Sequence, residues 1–197
     1  MVRVIAKLVI EVYGRDGRLK AKHEQPANLT LDNYIYFMQV ILSSVSQGST
    51  ESVSGLKNTE GWDCSLAYGN TSSCWDYAYY GAHDRYVCIG TGTTSPSNSD
   101  YKLESEIGCA GAGVTNIKFT DTEMSYQVTG VIEITSDTTI NEAGLKIRCT
   151  GECIDPTTGE IYPGEYDFLI LRDVLDTPLD VKAGDKVRVV YTFTITR

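Results

Sequence analysis

Val2, Val4, Ala6, Leu8, Ile10 and Val12 recur at every second position near the start of the chain, with Arg3, Lys7 and Glu11 among the residues between them. A period of two puts the apolar set on one face of a ribbon and predicts a half-buried β-strand. The far end repeats the pattern: Val187, Val189, Tyr191, Phe193 and Ile195 interleave with Arg188, Thr192, Thr194 and Thr196. Asp16-Gly17 predicts a tight hairpin, because both residues tolerate positive φ, and a second strand follows over Leu19 to Glu24 until Pro26.

Further strands are predicted at Tyr86 to Gly90, Thr115 to Thr120 and Met124 to Thr135, the last two joined at Asp121-Thr122. The alternation through Tyr126, Val128, Val131 and Ile132 slips near Gly130, which reads as a bulge. Leu145 to Thr150 and Tyr166 to Arg172 are predicted next, and Ala183-Gly184-Asp185 is the turn that launches the closing strand. Only one stretch carries helical spacing. Leu31, Tyr34, Ile35, Met38, Ile41, Leu42 and Val45 predict an amphipathic helix over about 30–45, capped by Thr30.

Strands that do not alternate with helices imply an all-β protein. We expect an antiparallel, jelly-roll-like β-sandwich of about eight strands. Its 197 residues suit a single domain over 1–197. Residues 46–85, a polar loop followed by an aromatic- and cysteine-rich stretch without a period, read as an irregular surface insertion.

Charge narrows the function. A formal net charge of -9 argues against nucleic-acid binding, which needs Lys and Arg to displace counterions. No apolar run approaches the ~20 residues of a membrane helix, and Lys7 and Glu11 interrupt the only segment that could pass for a signal peptide. The expected product is a mature, soluble chain whose first strand begins at Met1.

Candidate chemistry is sparse. Gly90 and Gly92 in "IGTGTTSPSNSDYKLESEI" could suggest a phosphate loop, but Ser95 stands where a third glycine would be needed. There is no Gly-x-Ser-x-Gly and no His-Glu-x-x-His, and the chain has two histidines, His23 and His83. Cys64, Cys74, His83 and Cys88 lack the tight Cys-x2–4-Cys pair that pre-forms a zinc site. We expect no catalytic residue, no cofactor and no metal.

Cys149 and Cys153 flank a glycine-containing turn and Cys64 and Cys74 bracket a small loop, so each pair is a candidate local disulfide. Sequence leaves open whether these cysteines are instead free and buried. Trp62, Tyr68, Trp75, Tyr77, Tyr79 and Tyr80 crowd into the insertion. Such rings suit a mini-core, a subunit interface or contact with host-surface glycans.

Three segments carry a resemblance. Ile89 to Ile107 resembles the "GTGTT-x-P-x-x-x-D-x-x-LE-x-E" stretch of small β-rich structural proteins of tailed phages and archaeal viruses. Val128 to Leu145, with its Glu142-Ala143-Gly144 turn, and Leu169 to Ile195 resemble the strands that follow it in the same family. The likeness spans about 1–45 and 86–197. It implies a virion component of capsid-associated, turret, decoration or tail type on the particle exterior. Its expected partners are copies of itself and other virion proteins. Catalytic residues are not implied, because the shared positions are glycines, acids and core aliphatics.

Overall fold

The structure is a computed structural model, described over residues 3–28, 31–35, 52–67 and 85–196. Among the described residues, eleven strands form two antiparallel sheets that pack face to face around one main apolar core. In chain order they are β1 (Arg3–Tyr13), β2 (Leu19–Pro26), β3 (Ser52–Lys57), β4 (Asp63–Ala67), β5 (Arg85–Gly90) and β6 (Glu106–Gly111). They continue with β7 (Gly113–Phe119), β8 (Glu123–Glu133), β9 (Thr138–Ile154), β10 (Ile161–Val181) and β11 (Lys186–Thr196). One sheet has the order β2-β1-β11-β8-β7. In the other, β9 is the spine: β10 runs along one side, and β5 and β4 divide the opposite side.

The first sheet follows directly from alternation. Leu8, Tyr191 and Val128 lie in register across β1, β11 and β8, as do Val12, Val187 and Ile132, and all six are buried. Tyr126 and Phe193, another paired couple, stack with centroids 5.0 Å apart. The Asp16-Gly17 hairpin forms as expected, with Gly17 at φ 76 and the Asp16 carboxylate accepting from the Arg18 amide. The turns at 120–122 and 183–185 also form where predicted.

The expected all-β sandwich is therefore what the chain builds, with three differences. β3 and β4 form a hairpin inside the segment read as irregular, and β6 was hidden by its glycines and alanine. β9 and β10 run 17 and 21 residues, through glycines and a buried glutamate that look unlike strand in sequence. Gly130 is not a bulge. It pairs in register with Val189 and holds a core position between Val128 and Ile132, while Val131 faces out, 50% exposed. Of the helix expected over about 30–45, residues 32–35 form one helical turn and the rest lies outside the described residues.

The two lateral sides of the sandwich differ. On one, β2 is tied to β10: Gln25 donates to the Val174 carbonyl and accepts from the Asp176 amide, and the Asn28 amide donates to Asp173. On the other, the edge strands β6 and β7 are both largely exposed.

At Gly130 the two sheets approach each other closely. A Cβ there would lie 2.5 Å from Val87 Cγ2 and 3.0 Å from the Gly111 carbonyl oxygen. Because the second obstacle is backbone, Gly130→Val is expected to destabilise the fold by about 1–3 kcal/mol through overpacking, read as a lower urea midpoint at unchanged slope.

Candidate functional site

Three separate stretches of the chain meet at one buried ion pair. Residues 91–105 leave the sheet after β5 and return at Glu106, which pairs with Gly90. Beside Gly90 on the other flank lies Glu142 of β9, fully buried. A lone carboxylate there would be costly, so the structure surrounds it with donors. Glu142 Oε1 accepts from the Gly92 amide at 3.1 Å and the Ser105 amide at 2.7 Å. Glu142 Oε2 accepts from the Glu104 amide at 3.1 Å and from Arg172 Nε at 2.9 Å.

Arg172, on β10 and 3% exposed, spends its remaining donors on the same loop. Its Nη1 donates to Asp100 Oδ2 at 2.6 Å and its Nη2 to the Thr94 carbonyl at 3.1 Å. Asp100 also accepts from the Ser97 amide. Glu104 accepts from the Thr94 amide and hydroxyl, and chiefly the amide bond holds its carboxyl below the ordinary range. Leu103 plugs a small apolar cluster with Leu31, Cys88 and Leu169.

This geometry accounts for the glycines of the opening motif. A Cβ on Gly90 would collide with Glu142 Oε1, and one on Gly92 would lie 2.5 Å from Glu104 Cβ. Both positions need the missing side chain for close approach to the buried carboxylate, not to a phosphate. The clamp leaves a rigid base and an exposed polar crest of Thr93, Ser95, Ser97, Asn98 and Ser99. Chemically, it can present a loop. Its acids and its one guanidinium are all engaged with one another or with backbone.

A second buried polar contact joins the sheets. Tyr191 of β11 donates its hydroxyl to Asp173 Oδ2 at 3.0 Å, and the Asn28 amide donates to Asp173 Oδ1 at 2.7 Å. Burial pushes the Asp173 carboxyl up to about 6, against the pull of these two bonds, and pushes the Tyr191 hydroxyl well above its usual range.

The cysteines pair differently from both local expectations. Cys64 bonds to Cys153, directly opposite on β4 and β9, and Cys88 bonds to Cys109, directly opposite on β5 and β6. Cys149 and Cys153 lie on one strand, where four residues span ~13 Å, far beyond disulfide reach. The Cys64–Cys74 loop is excluded because Cys64 is already bonded; Cys74 lies outside the described residues. None of the described cysteines is free. The zinc set is thereby broken as well, since Cys64 and Cys88 sit in different disulfides; His83 is outside the described residues. His23 is a buried strand residue bonded to Gln25.

Of the aromatic set, only Trp62 falls among the described residues; Tyr68, Trp75, Tyr77, Tyr79 and Tyr80 lie outside them. Trp62 packs against the main core, with its ring 5.8 Å from Tyr162 and 6.3 Å from Tyr166. Asn58 positions it by accepting the Trp62 amide. Tyr162, on β10 and 39% exposed, donates to Glu160, and sequence reasoning missed it because it lies a hundred residues from Trp62. A groove of 570 Å³ opens at the turn end of the first sheet, lined by Tyr13, Val131, Arg15, Lys186, Arg188 and Glu133 among others.

Two measurements test these assignments. Arg172→Met leaves Glu142 buried without its counter-charge, so a loss of about 3–5 kcal/mol is expected, with faster hydrogen exchange at the Gly92, Glu104 and Ser105 amides. Asp173 titrates higher folded than unfolded, so its ionisation penalises the fold above pH 6 and the penalty fades as pH falls toward 4. Between pH 7 and pH 5 the wild type is expected to gain about 1 kcal/mol relative to Asp173→Asn, read from paired urea titrations.

No protein-family model matches this chain, and neither a curated protein nor a solved structure shows significant similarity to it.

Proposed function

We propose that the chain is a non-enzymatic structural component of a virus particle. It sits on the particle exterior and works by associating with copies of itself and with other particle proteins. One observation carries this reading. All three segments that resemble virion proteins converge on the Glu142–Arg172 clamp, so the residues behind the resemblance serve rigidity. A scaffold needs stiff loops on a stable body, and the clamp supplies one.

Two further features support it. The described cysteines carry no free thiol, the state expected of a chain exposed to an oxidising milieu or made by a hyperthermophile. The β6/β7 side exposes apolar side chains that an assembly would cover. Mechanically, the sandwich holds its loops in fixed geometry, and apolar burial between subunits provides the association energy.

A second reading, a glycan-binding adhesion module, rests on Tyr162: an exposed ring beside Trp62 with the Glu160 carboxylate next to it. Stacking on a sugar face plus a carboxylate acceptor is suitable chemistry.

Sedimentation velocity over a wide concentration range, run without reductant, tests the first reading. Species heavier than the 21.7 kDa monomer are expected. A strict monomer at the highest concentration counts against it. Glycan-array binding that is lost in Tyr162→Ala would move the assignment to the adhesion module.

A further inference from the structure

Strand register sets the floor of the groove at the turn end of the first sheet. Tyr13, Lys186 and Glu133 form one row across β1, β11 and β8, and Glu11, Arg188 and Val131 form another. Val12, Val187 and Ile132, the row between them, point into the core, so alternation turns the two flanking rows outward. Gly14, Gly17 and Gly184 line the end of the hollow, which measures 570 Å³. Small-molecule sites typically enclose about 300–1,000 Å³.

The charge of this lining runs against that of the chain. The sequence has 26 acids against 17 Lys and Arg, yet the groove holds three cations, Arg15, Lys186 and Arg188, and one acid, Glu133. Two of the cations keep their charge available. Arg15 donates through Nε and Nη2 to the Ala183 carbonyl, at 3.0 and 2.6 Å, so a neutral acceptor holds it in place. Gly184 makes room for this contact, since a Cβ there would lie 2.3 Å from Arg15 Nε. Asp185, near enough to feel Arg15, is bonded to Lys20 instead. Lys186 and Glu133 stand in register, but neither makes a hydrogen bond or ion pair among the described residues. Arg188 is paired with Glu11 at 3.0 Å, and Tyr13 donates to the same carboxylate at 2.8 Å, which fixes its ring. Val131, 50% exposed, adds an apolar wall.

We propose that this groove binds the carboxylate-bearing ring of an acidic sugar, of uronic or sialic type. Lys186 and Arg15 take the carboxylate through charge-assisted hydrogen bonds. Glu133 accepts from a ring hydroxyl, and Tyr13 and Val131 flank the C–H face of the ring. The same parts disfavour other ligands. A neutral sugar leaves Lys186 and Arg15 without a counter-charge, and a phosphate dianion meets the Glu133 carboxylate while making no use of the apolar walls. The site lies on the first sheet, whereas Trp62 and Tyr162 belong to β4's entry and β10, so it goes beyond both functional readings and stands or falls apart from them.

The test follows backbone amide shifts of the 15N-labelled full chain by nuclear magnetic resonance at low salt. The probes are glucuronate and N-acetylneuraminate, with glucose and inorganic phosphate as controls. Saturable shifts at Tyr13, Lys186 and Glu133 are expected with at least one acidic sugar, and with neither control. Lys186→Ala is expected to weaken that binding at least about 10-fold, the loss of one charge-assisted hydrogen bond. Lys118→Ala, an exposed cation on β7, and Tyr162→Ala are expected to bind as the wild type does. Circular dichroism checks that each variant is folded. Absence of binding by both acidic sugars would overturn the site, as would phosphate binding as tightly as the sugars. Binding kept in Lys186→Ala but lost in Tyr162→Ala would overturn it too, and would place the sugar at the Trp62–Tyr162 pair.

Discussion

The Glu142–Arg172 pair is the constraint around which the rest of the second sheet is arranged. Taking both ions out of water costs several kcal/mol each, and their attraction offsets this only when every remaining donor and acceptor is satisfied. Here the partners come from the 91–105 loop: the amides of Gly92, Glu104 and Ser105, the carboxylate of Asp100 and the carbonyl of Thr94. The loop therefore cannot lift away without stranding a buried charge. Such a pair is a poor source of net stability but a strong device for specifying one conformation.

Apolar burial does the bulk work elsewhere. The first sheet is held by in-register rows such as Leu8, Tyr191 and Val128, and the second by β9 and its three neighbours. The disulfides reinforce positions where that division leaves short strands. Cys64–Cys153 ties β4, which shares only three register positions with β9, and Cys88–Cys109 ties the edge strand β6 to β5. Both bonds link residues the ladder already sets opposite each other, so they staple neighbouring strands and do not redirect the chain. Tyr191 to Asp173 then bridges the sheets at a buried point.

The two lateral sides give the molecule a direction. One is closed by hydrogen bonds from β2 and the segment after it to β10. The other ends in two exposed strands with little charge. A body with one finished and one unfinished side, a stiff polar loop and disulfide-linked neighbouring strands supports the proposal of a building element. That combination, more than any single residue, is why a structural reading suits the chain.

Much of the first sheet was legible in the residues, because alternation and turn chemistry are local: β1, β2, β8 and β11, the Asp16-Gly17 hairpin and the Gly184 turn all follow from neighbours in sequence. β3, β4 and β6 were not, since glycine, serine and alanine carry no sided pattern and gain strand structure only from the strands beside them. Cysteine pairing was misread for a related reason. Proximity in sequence suggested Cys149 with Cys153, whereas an extended strand holds residues four apart out of reach and register sets Cys64 of β4 opposite Cys153 of β9. The chain by itself determined the sided ribbons and the turns between them. Only the tertiary structure decided why Gly90, Gly92 and Gly130 must lack a side chain and where Glu142 finds its partners. Those answers depend on atoms contributed by distant segments, and a close approach between segments leaves no periodic trace in either one.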